Sequence, residues 1–427
     1  MSGRVFGVNP LTRVEGEGRV RVEIRDDKIE TEVNIFEPPR FFEAFLVGRS
    51  YKDVTDITAR ICGICPVAYQ MSSAKAIENA FGVEVDEDIE TVRRLLYCGE
   101  WIQSHALHFF LLALPDFFGK NDVLGLLKEH PDIVKIGLET KNVGDKIMAL
   151  IGGRATHPIS PCVGGFTGLP SAGKLKAMLE PLKEVEKNMQ MVTEWVLDKV
   201  AMPELDHDVE VASLWDPEEY PMSAGDVMSN KGLHIKQGDF CNNIEEYQVP
   251  HSTAYHARVK GRSTFLVGPL SRLKLNLDSL RPVPKRYADA VDERNVFTQN
   301  IARILETINA IEDSVGILED YKEPLRSRVP VEPKASKGTW ITEAPRGMLY
   351  HEYELDASGR IKRARIIPPT AQNLANMEEM LKVLVEGRID SPDEELAKLS
   401  GMLIRSYDPC ISCSVHSLKI DIKRLNR

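Results

Sequence analysis

Ala59-Arg60-Ile61-Cys62-Gly63-Ile64-Cys65 and Asp408-Pro409-Cys410-Ile411-Ser412-Cys413-Ser414-Val415-His416 carry two Cys-x-x-Cys pairs near opposite ends of a 427-residue chain. A Cys-x-x-Cys turn aims two thiolates at one metal, so two pairs can supply a complete four-sulfur set. If both pairs hold one ion, the first and last sixths of the chain meet at a buried metal. Spacing alone fits structural zinc. Zinc ribbons and knuckles close over short loops, however, and here nearly the whole chain lies between Cys65 and Cys410. Arg60, Asp408 and His416 also flank the thiolates, charged company that a reactive centre requires and a structural zinc does not. On these residues alone both readings stand.

Composition narrows the class. Hydrophobic content of 43% and charged content of 28% describe a folded globular protein, not a disordered one. A net charge of −10 opposes nonspecific nucleic-acid binding, which needs a positive surface. Seven cysteines are an odd count spread thinly over a long chain, so reduced thiols in a cytoplasmic setting are expected rather than a disulfide framework. The N-terminus lacks the apolar core of a signal peptide. The most apolar stretch, Trp101 to Leu114, carries two histidines and stops at Pro115, so it is expected to be a buried helix and not a membrane span.

The pattern along the chain predicts an α+β fold. Residues 19–36 alternate with a period of two around Asp26-Asp27-Lys28, a hairpin in which Val20, Val22 and Ile24 share a face. From about Asp86 the period becomes helical, with further helices over 131–152, 171–202 and 287–320. A second hairpin flanks Asp356-Ala-Ser-Gly359, and helices near 371–388 and 392–405 deliver the C-terminal cysteine pair. The expected organisation is one interwoven unit over 1–427. Its parts are a strand-rich 1–85 bearing the first pair, a helical core over 86–202, irregular strands and a helix over 203–330, and a hairpin with helices over 331–427 bearing the second pair.

Other candidates are weaker singly. Glu15 in TRVEGEG and Glu43 in PPRFFEAF are carboxylates in apolar or glycine-rich company. Each reads as a surface acid, or as a proton carrier (Glu15) and a hard-metal ligand (Glu43). Arg346 in TEAPRG is either an ion-pair partner or a donor to a ligand on a metal. Gly168-Leu-Pro-Ser-Ala-Gly173-Lys174 approaches a phosphate-binding loop, but Leu175 stands where a hydroxyl should meet magnesium and Pro170 interrupts it, so it is read as a helix start. His105 and His108 read as hydrogen-bonded core residues. Cys98, Cys162 and Cys241 are too few for a four-cysteine iron–sulfur cluster, so electrons from any redox site would leave through a separate polypeptide.

Together the two signatures, with TRVEGEG, RFFEA, SHALHFF, GGFTGLP, EAPRG and PTAQN in order between them, resemble the large, catalytic subunit of nickel–iron hydrogenases over nearly the whole chain. The final SVH looks most like the cytoplasmic, NAD(P)-linked sulfhydrogenase type, with the F420-nonreducing type close behind. The resemblance implies the large-subunit fold of that family and a Ni–Fe centre with CO and cyanide on the iron. Cys62, Cys65, Cys410 and Cys413 would bind nickel, with Cys65 and Cys413 bridging to iron. Heterolytic splitting of H2 would send a proton through a thiolate such as Cys410 to Glu15. Arg346, hydrogen-bonded near Asp408, and Thr370 would contact cyanide. Glu43, His416 and the Ile366 carbonyl would hold magnesium, with Arg60 and Tyr69 around the thiolates. Implied partners are an iron–sulfur small subunit, flavin/NAD(P) and further iron–sulfur subunits, and a maturation protease.

Three positions depart from the family pattern. Tyr69 stands where a histidine usually follows the first signature, and altered tuning of the thiolates is expected. Glu17 replaces a frequent histidine. Ser417–Arg427 extends beyond the point where relatives are commonly trimmed. The metal-free relative in respiratory complex I is a poor match because all four cysteines are present, and a non-catalytic protein stapled by zinc is the competing reading from another class.

Overall fold

The computed structural model describes residues 3–25 and 28–415. Four long helices, Glu87–Ala106, Pro131–Gly152, Leu179–Lys199 and Gln299–Asp320, pack against one another at the centre. Glu87–Ala106 is the hub, with Leu95, Leu96, Trp101 and Ile102 fully buried. Gly144 allows Pro131–Gly152 to approach it closely, since a Cβ there would lie 2.6 Å from the Gly99 carbonyl oxygen and the Gln103 nitrogen. Past Ala106 the helix widens into a π-helical segment, Leu107–Ala113, before Leu114–Phe117. Pro115 therefore lies within the last turn instead of ending the helix.

The expected hairpins are parts of three-stranded antiparallel sheets. Arg4–Val8 adds to Gly18–Arg25 and Lys28–Ile35, and Ser336–Ala344 adds to Gly347–Leu355 and Ile361–Ile367. Arg4–Val8 escapes the period-two reading because its pleat is only half-buried, with Val5 exposed. The region expected to be irregular holds a small sheet of Ala212–Trp215, Asp226–Ser229 and His234–Ile235, and a hairpin of Ile244–Gln248 with Tyr255–Val259. The stretch expected as helix over 171–202 breaks into Ala172–Lys176 and Leu179–Lys199, and the one over 287–320 starts at Gln299 after isolated turns. The last two helices run Pro369–Glu386 and Asp393–Ser406. Among the described residues no helix is long and apolar enough to cross a membrane.

One further helix corrects the strand-rich reading of 1–85. Pro66–Phe81 follows Cys65 directly and is buried on nearly every side, polar Gln70, Ser72 and Ser73 included. A helix enclosed all round shows no amphipathic stripe. The strand Ser336–Ala344 lies on it, backbone to backbone, at Gly338. A Cβ at Gly338 would stand 2.2 Å from the Ala76 carbonyl oxygen and 2.4 Å from the Ala80 nitrogen. Gly338→Ala is therefore expected to destabilise the fold by about 1–3 kcal/mol through overpacking, read as an earlier denaturant or thermal transition. An unchanged transition would mean that the strand can lift off the helix freely.

Candidate metal centre

Each cysteine pair is built by the turn that precedes a helix. Cys62 follows the helix Val54–Ala59, and the amides of Ile64 and Cys65 both point at its Sγ from 3.4 Å. Cys65 is the N-cap of Pro66–Phe81, whose Pro66 needs no hydrogen-bond acceptor. The next two amides, of Val67 and Ala68, donate to Glu100 at 2.5 and 3.0 Å. A carboxylate of the central helix thus caps the helix that carries the first pair. Burial pushes the Glu100 carboxyl well up, against the pull of those amides. At the other end Asp408 takes a left-handed conformation, φ 54°, tolerable for Asp, and turns the chain into Cys410 and the short helix Ile411–Ser414.

The N-terminal TRVEGEG segment joins these turns. Arg13 pairs with Asp116, which also receives Arg405 at 2.6 and 2.9 Å. That anchor sets Glu15 beside Cys410. The Glu15 carbonyl accepts the Ile411 N–H at 3.0 Å, and its Oε2 accepts the Ser412 N–H at 3.0 Å and the Cys410 thiol at 3.1 Å. Arg40 stitches both cysteine turns, donating to the carbonyls of Ile61 (2.6 Å), Arg60 (3.2 Å) and Ser412 (3.3 Å). Glu37 accepts from the Ser412 hydroxyl at 3.1 Å. The sequence pattern marks none of Glu100, Arg40 and Glu37. Arg40 sits three residues before Glu43 in the motif, but nothing in the pattern says which carbonyls it reaches.

All four cysteine sulfurs are buried and lie within 4.8 Å of one another. Cys62 and Cys410 are 3.5 Å apart, and Cys410 and Cys413 are 2.7 Å apart. Metal–sulfur bonds of about 2.3 Å allow at most about 4.6 Å between two sulfurs on one metal, so the cluster has the span of a metal-binding set. No disulfide joins any of the seven cysteines.

Arg346 lies beside this set. It donates from Nε to the Asp408 carbonyl at 2.7 Å and from Nη2 to Asp408 Oδ1 at 2.9 Å, while Nη1 is buried without a partner among the described residues. Burial opposes its charge, but Asp408, Cys410, Cys65 and Cys62 push its pKa well above the ordinary value. The turn before it is pinned by Arg272, which donates to the carbonyls of Ala344 and Pro345 at 2.9 Å each and to Glu306 and Glu343. Burial lifts Glu343 to about 7, whereas Arg272 overcomes burial at Glu306 and holds it at about 2. His108, pushed down by burial to about 3, donates from Nε2 to the Arg405 carbonyl at 2.7 Å and is 3.9 Å from Asp408.

Other expected residues sort as follows. Thr370 Oγ1 accepts the Cys410 N–H at 3.0 Å. Tyr69 is buried, and burial together with charge on Cys413, Cys65 and Cys410 pushes its phenol well up. Its hydroxyl has no hydrogen-bond partner among the described residues. Arg60 is not part of the cluster: its guanidinium turns outward onto Asp56, at 2.9 Å, one helical turn back. Glu43 Oε1 does meet Ile366, accepting its amide at 2.7 Å; the contact shown is with the amide, not the carbonyl. His416 lies outside the described residues, as does Ser417–Arg427.

The chain that carries this four-thiolate set has clear relatives. A family profile described as nickel-dependent hydrogenase matches residues 40–135 and 251–416. The alpha chain of sulfhydrogenase 1 from Pyrococcus furiosus is 35% identical over 97% of this chain and 98% of its own. The matching chain of an F420-non-reducing hydrogenase from Methanothermobacter marburgensis is 28% identical over 96% of this chain and 94% of its own. Among solved structures, an NAD+-reducing [NiFe]-hydrogenase in the H2-reduced state superposes with a TM-score of 0.88 at 26% identity, covering 97% of this chain and 99% of that one. The helical core between terminal sheets is thus the large-subunit fold of these enzymes. With the family profile spanning more than half of the chain and the Pyrococcus relative matching along nearly all of it, the chain belongs to the nickel-dependent hydrogenases, oxidoreductases acting on H2.

Proposed function

We propose that this chain is the catalytic subunit of a hydrogenase in which Cys62, Cys65, Cys410 and Cys413 would hold a nickel–iron pair. The convergence of four buried sulfurs from opposite ends of the sequence carries this reading. Soft thiolates suit both metals. When bound, the metal pair supplies heterolytic cleavage of H2 and takes up its electron pair.

The chain's own residues handle the proton. Cys410 Sγ is the acceptor next to the metals, and Glu15 Oε2, already hydrogen-bonded to it, receives the proton and carries it outward. The Ser412 amide fixes that oxygen in place, so the transfer distance does not depend on a mobile side chain. Arg346, locked by Asp408, offers Nη1 to a cyanide ligand of the iron. The Thr370 hydroxyl, accepting from Cys410, keeps its own hydrogen for a second such ligand. Tyr69 stands beside the thiolates at the position where a histidine is common in the family and tunes them through its phenol. Glu43 and Ile366 contribute to a magnesium site with His416.

Electrons are proposed to pass first to an iron–sulfur small subunit. From there they run through flavin and further iron–sulfur chains to NAD(P) in the cytoplasm, supported by the likeness to sulfhydrogenases and to an NAD+-reducing enzyme. Transfer to another partner, as the names of the F420-non-reducing relatives allow, is the alternative. H2-dependent reduction of NAD+ or NADP+ by the whole complex tests the acceptor, and H2 uptake with artificial acceptors alone would favour the alternative. Cys410→Ser is expected to abolish H2 uptake and lower nickel content, and uptake that survives would remove Cys410 from the ligand set. Glu15→Gln is expected to slow hydrogen–deuterium exchange on the order of 100-fold while nickel and iron stay bound. Exchange at the unaltered rate would place the proton route elsewhere.

A further inference from the structure

A second convergence of ligand-type side chains lies outside the cysteine site. His251 stands in the turn between Ile244–Gln248 and Tyr255–Val259, His256 on the second of these strands, and Glu378 in the middle of the helix Pro369–Glu386. The Glu378 carboxylate lies between the two imidazoles. Its Oε1 is 2.7 Å from His251 Nε2 and its Oε2 is 3.5 Å from His256 Nε2. The rings meet edge to face with centroids 6.0 Å apart, and one ligand atom from each of the three residues lies within 4.8 Å of the others.

His256 sets this cluster apart from an ordinary ion pair. It is 1% exposed, its Nδ1 has no hydrogen-bond partner among the described residues, and its Nε2 has only the 3.5 Å contact with Glu378. At 3.5 Å from Glu378 Oε2, His256 Nε2 makes only a long ion contact, and leaving a buried polar group so poorly met costs about 1–3 kcal/mol. The carboxylate is itself held in position: the Val33 N–H donates to Oε1 at 2.9 Å, and the Thr31 hydroxyl donates to the Glu378 carbonyl at 2.7 Å. Such outer bonds orient metal-binding carboxylates. His251 and Glu378 remain partly exposed, which leaves an entry path from solvent.

We propose that His251, His256 and Glu378 bind a divalent transition-metal ion of the zinc class, with water completing the coordination. Two imidazoles and one carboxylate are a donor set that suits such ions, and the absence of sulfur separates it chemically from the cysteine centre. The ion would join three elements that also frame that centre. The helix carries Thr370 in its first turn, eight residues or about 12 Å from Glu378. The strand Lys28–Ile35 leads to Glu37 and Arg40, and Thr253 of the hairpin donates to the carbonyls of Ile35 and Glu37 at 3.1 and 2.8 Å. The ion acts as a clasp behind the cysteine turns without touching them.

The test uses the whole matured complex, stripped of loosely held cations by a chelator and then titrated with zinc. Zinc content and the zinc-edge X-ray absorption spectrum are measured, so neither depends on hydrogenase activity. One zinc per chain is expected, in a nitrogen and oxygen shell with imidazole scattering. It should disappear in His251→Asn and in Glu378→Gln while nickel is retained. His251 sits in a turn, so His251→Asn decides the matter if Glu378→Gln fails to fold. Undiminished zinc in a folded variant, sulfur in the shell, or no zinc held by the unaltered complex at micromolar concentration would overturn the assignment.

Discussion

The short pairing of Glu15 with residues 410–412 is the contact on which the rest of the centre depends. Main-chain and carboxylate bonds from one residue hold three consecutive positions of the C-terminal turn, and Arg40 ties that same turn to the first cysteine loop. Without them two cysteine pairs from opposite ends of the chain would have no fixed relation. Closing so long a loop adds on the order of 5 kcal/mol of chain entropy, growing only slowly with length. The four long central helices pack onto one core, with the last two helices on a neighbouring one, and this packing brings both turns to the same side.

Around that contact the protein buries several charged groups. Arg272, Arg303 and Arg346 are each at most 3% exposed. A buried ion pair is weak support for stability, but removing one partner leaves an uncompensated charge that costs about 3–5 kcal/mol. Their arrangement is read more usefully as positioning. Arg272 grips both carbonyls ahead of Arg346, Asp408 grips Arg346 from two directions, and His108 holds the carbonyl of Arg405, which in turn grips Asp116. A guanidinium fixed in this way presents its remaining nitrogen with little reorganisation, the arrangement that electrostatic stabilisation at a reacting centre requires.

How far the structure is legible in the sequence varies with the kind of signal. Cys-x-x-Cys spacing and the alternation of Val20, Val22 and Ile24 are local patterns, and both appear in the structure. Pro66–Phe81 is hidden because a helix buried on all faces has no polar stripe, and Arg4–Val8 because a half-buried edge strand alternates weakly. Arg60 shows the limit of adjacency: two residues from Cys62, it still turns to solvent, while Glu100 reaches the helix after Cys65 from another element. Glu100, Arg40 and the His251–His256–Glu378 cluster are contacts between distant segments, and one sequence holds no sign of which segments meet.

The central claim is that the four thiolates carry an organometallic nickel–iron pair. It is tested most directly by an infrared spectrum of the matured, assembled complex in the window for CO and cyanide bound to metal. Sharp bands for both ligands, lost in Cys413→Ser, are the predicted result. A spectrum empty in that window, from a preparation whose cysteine site holds zinc alone, would contradict it.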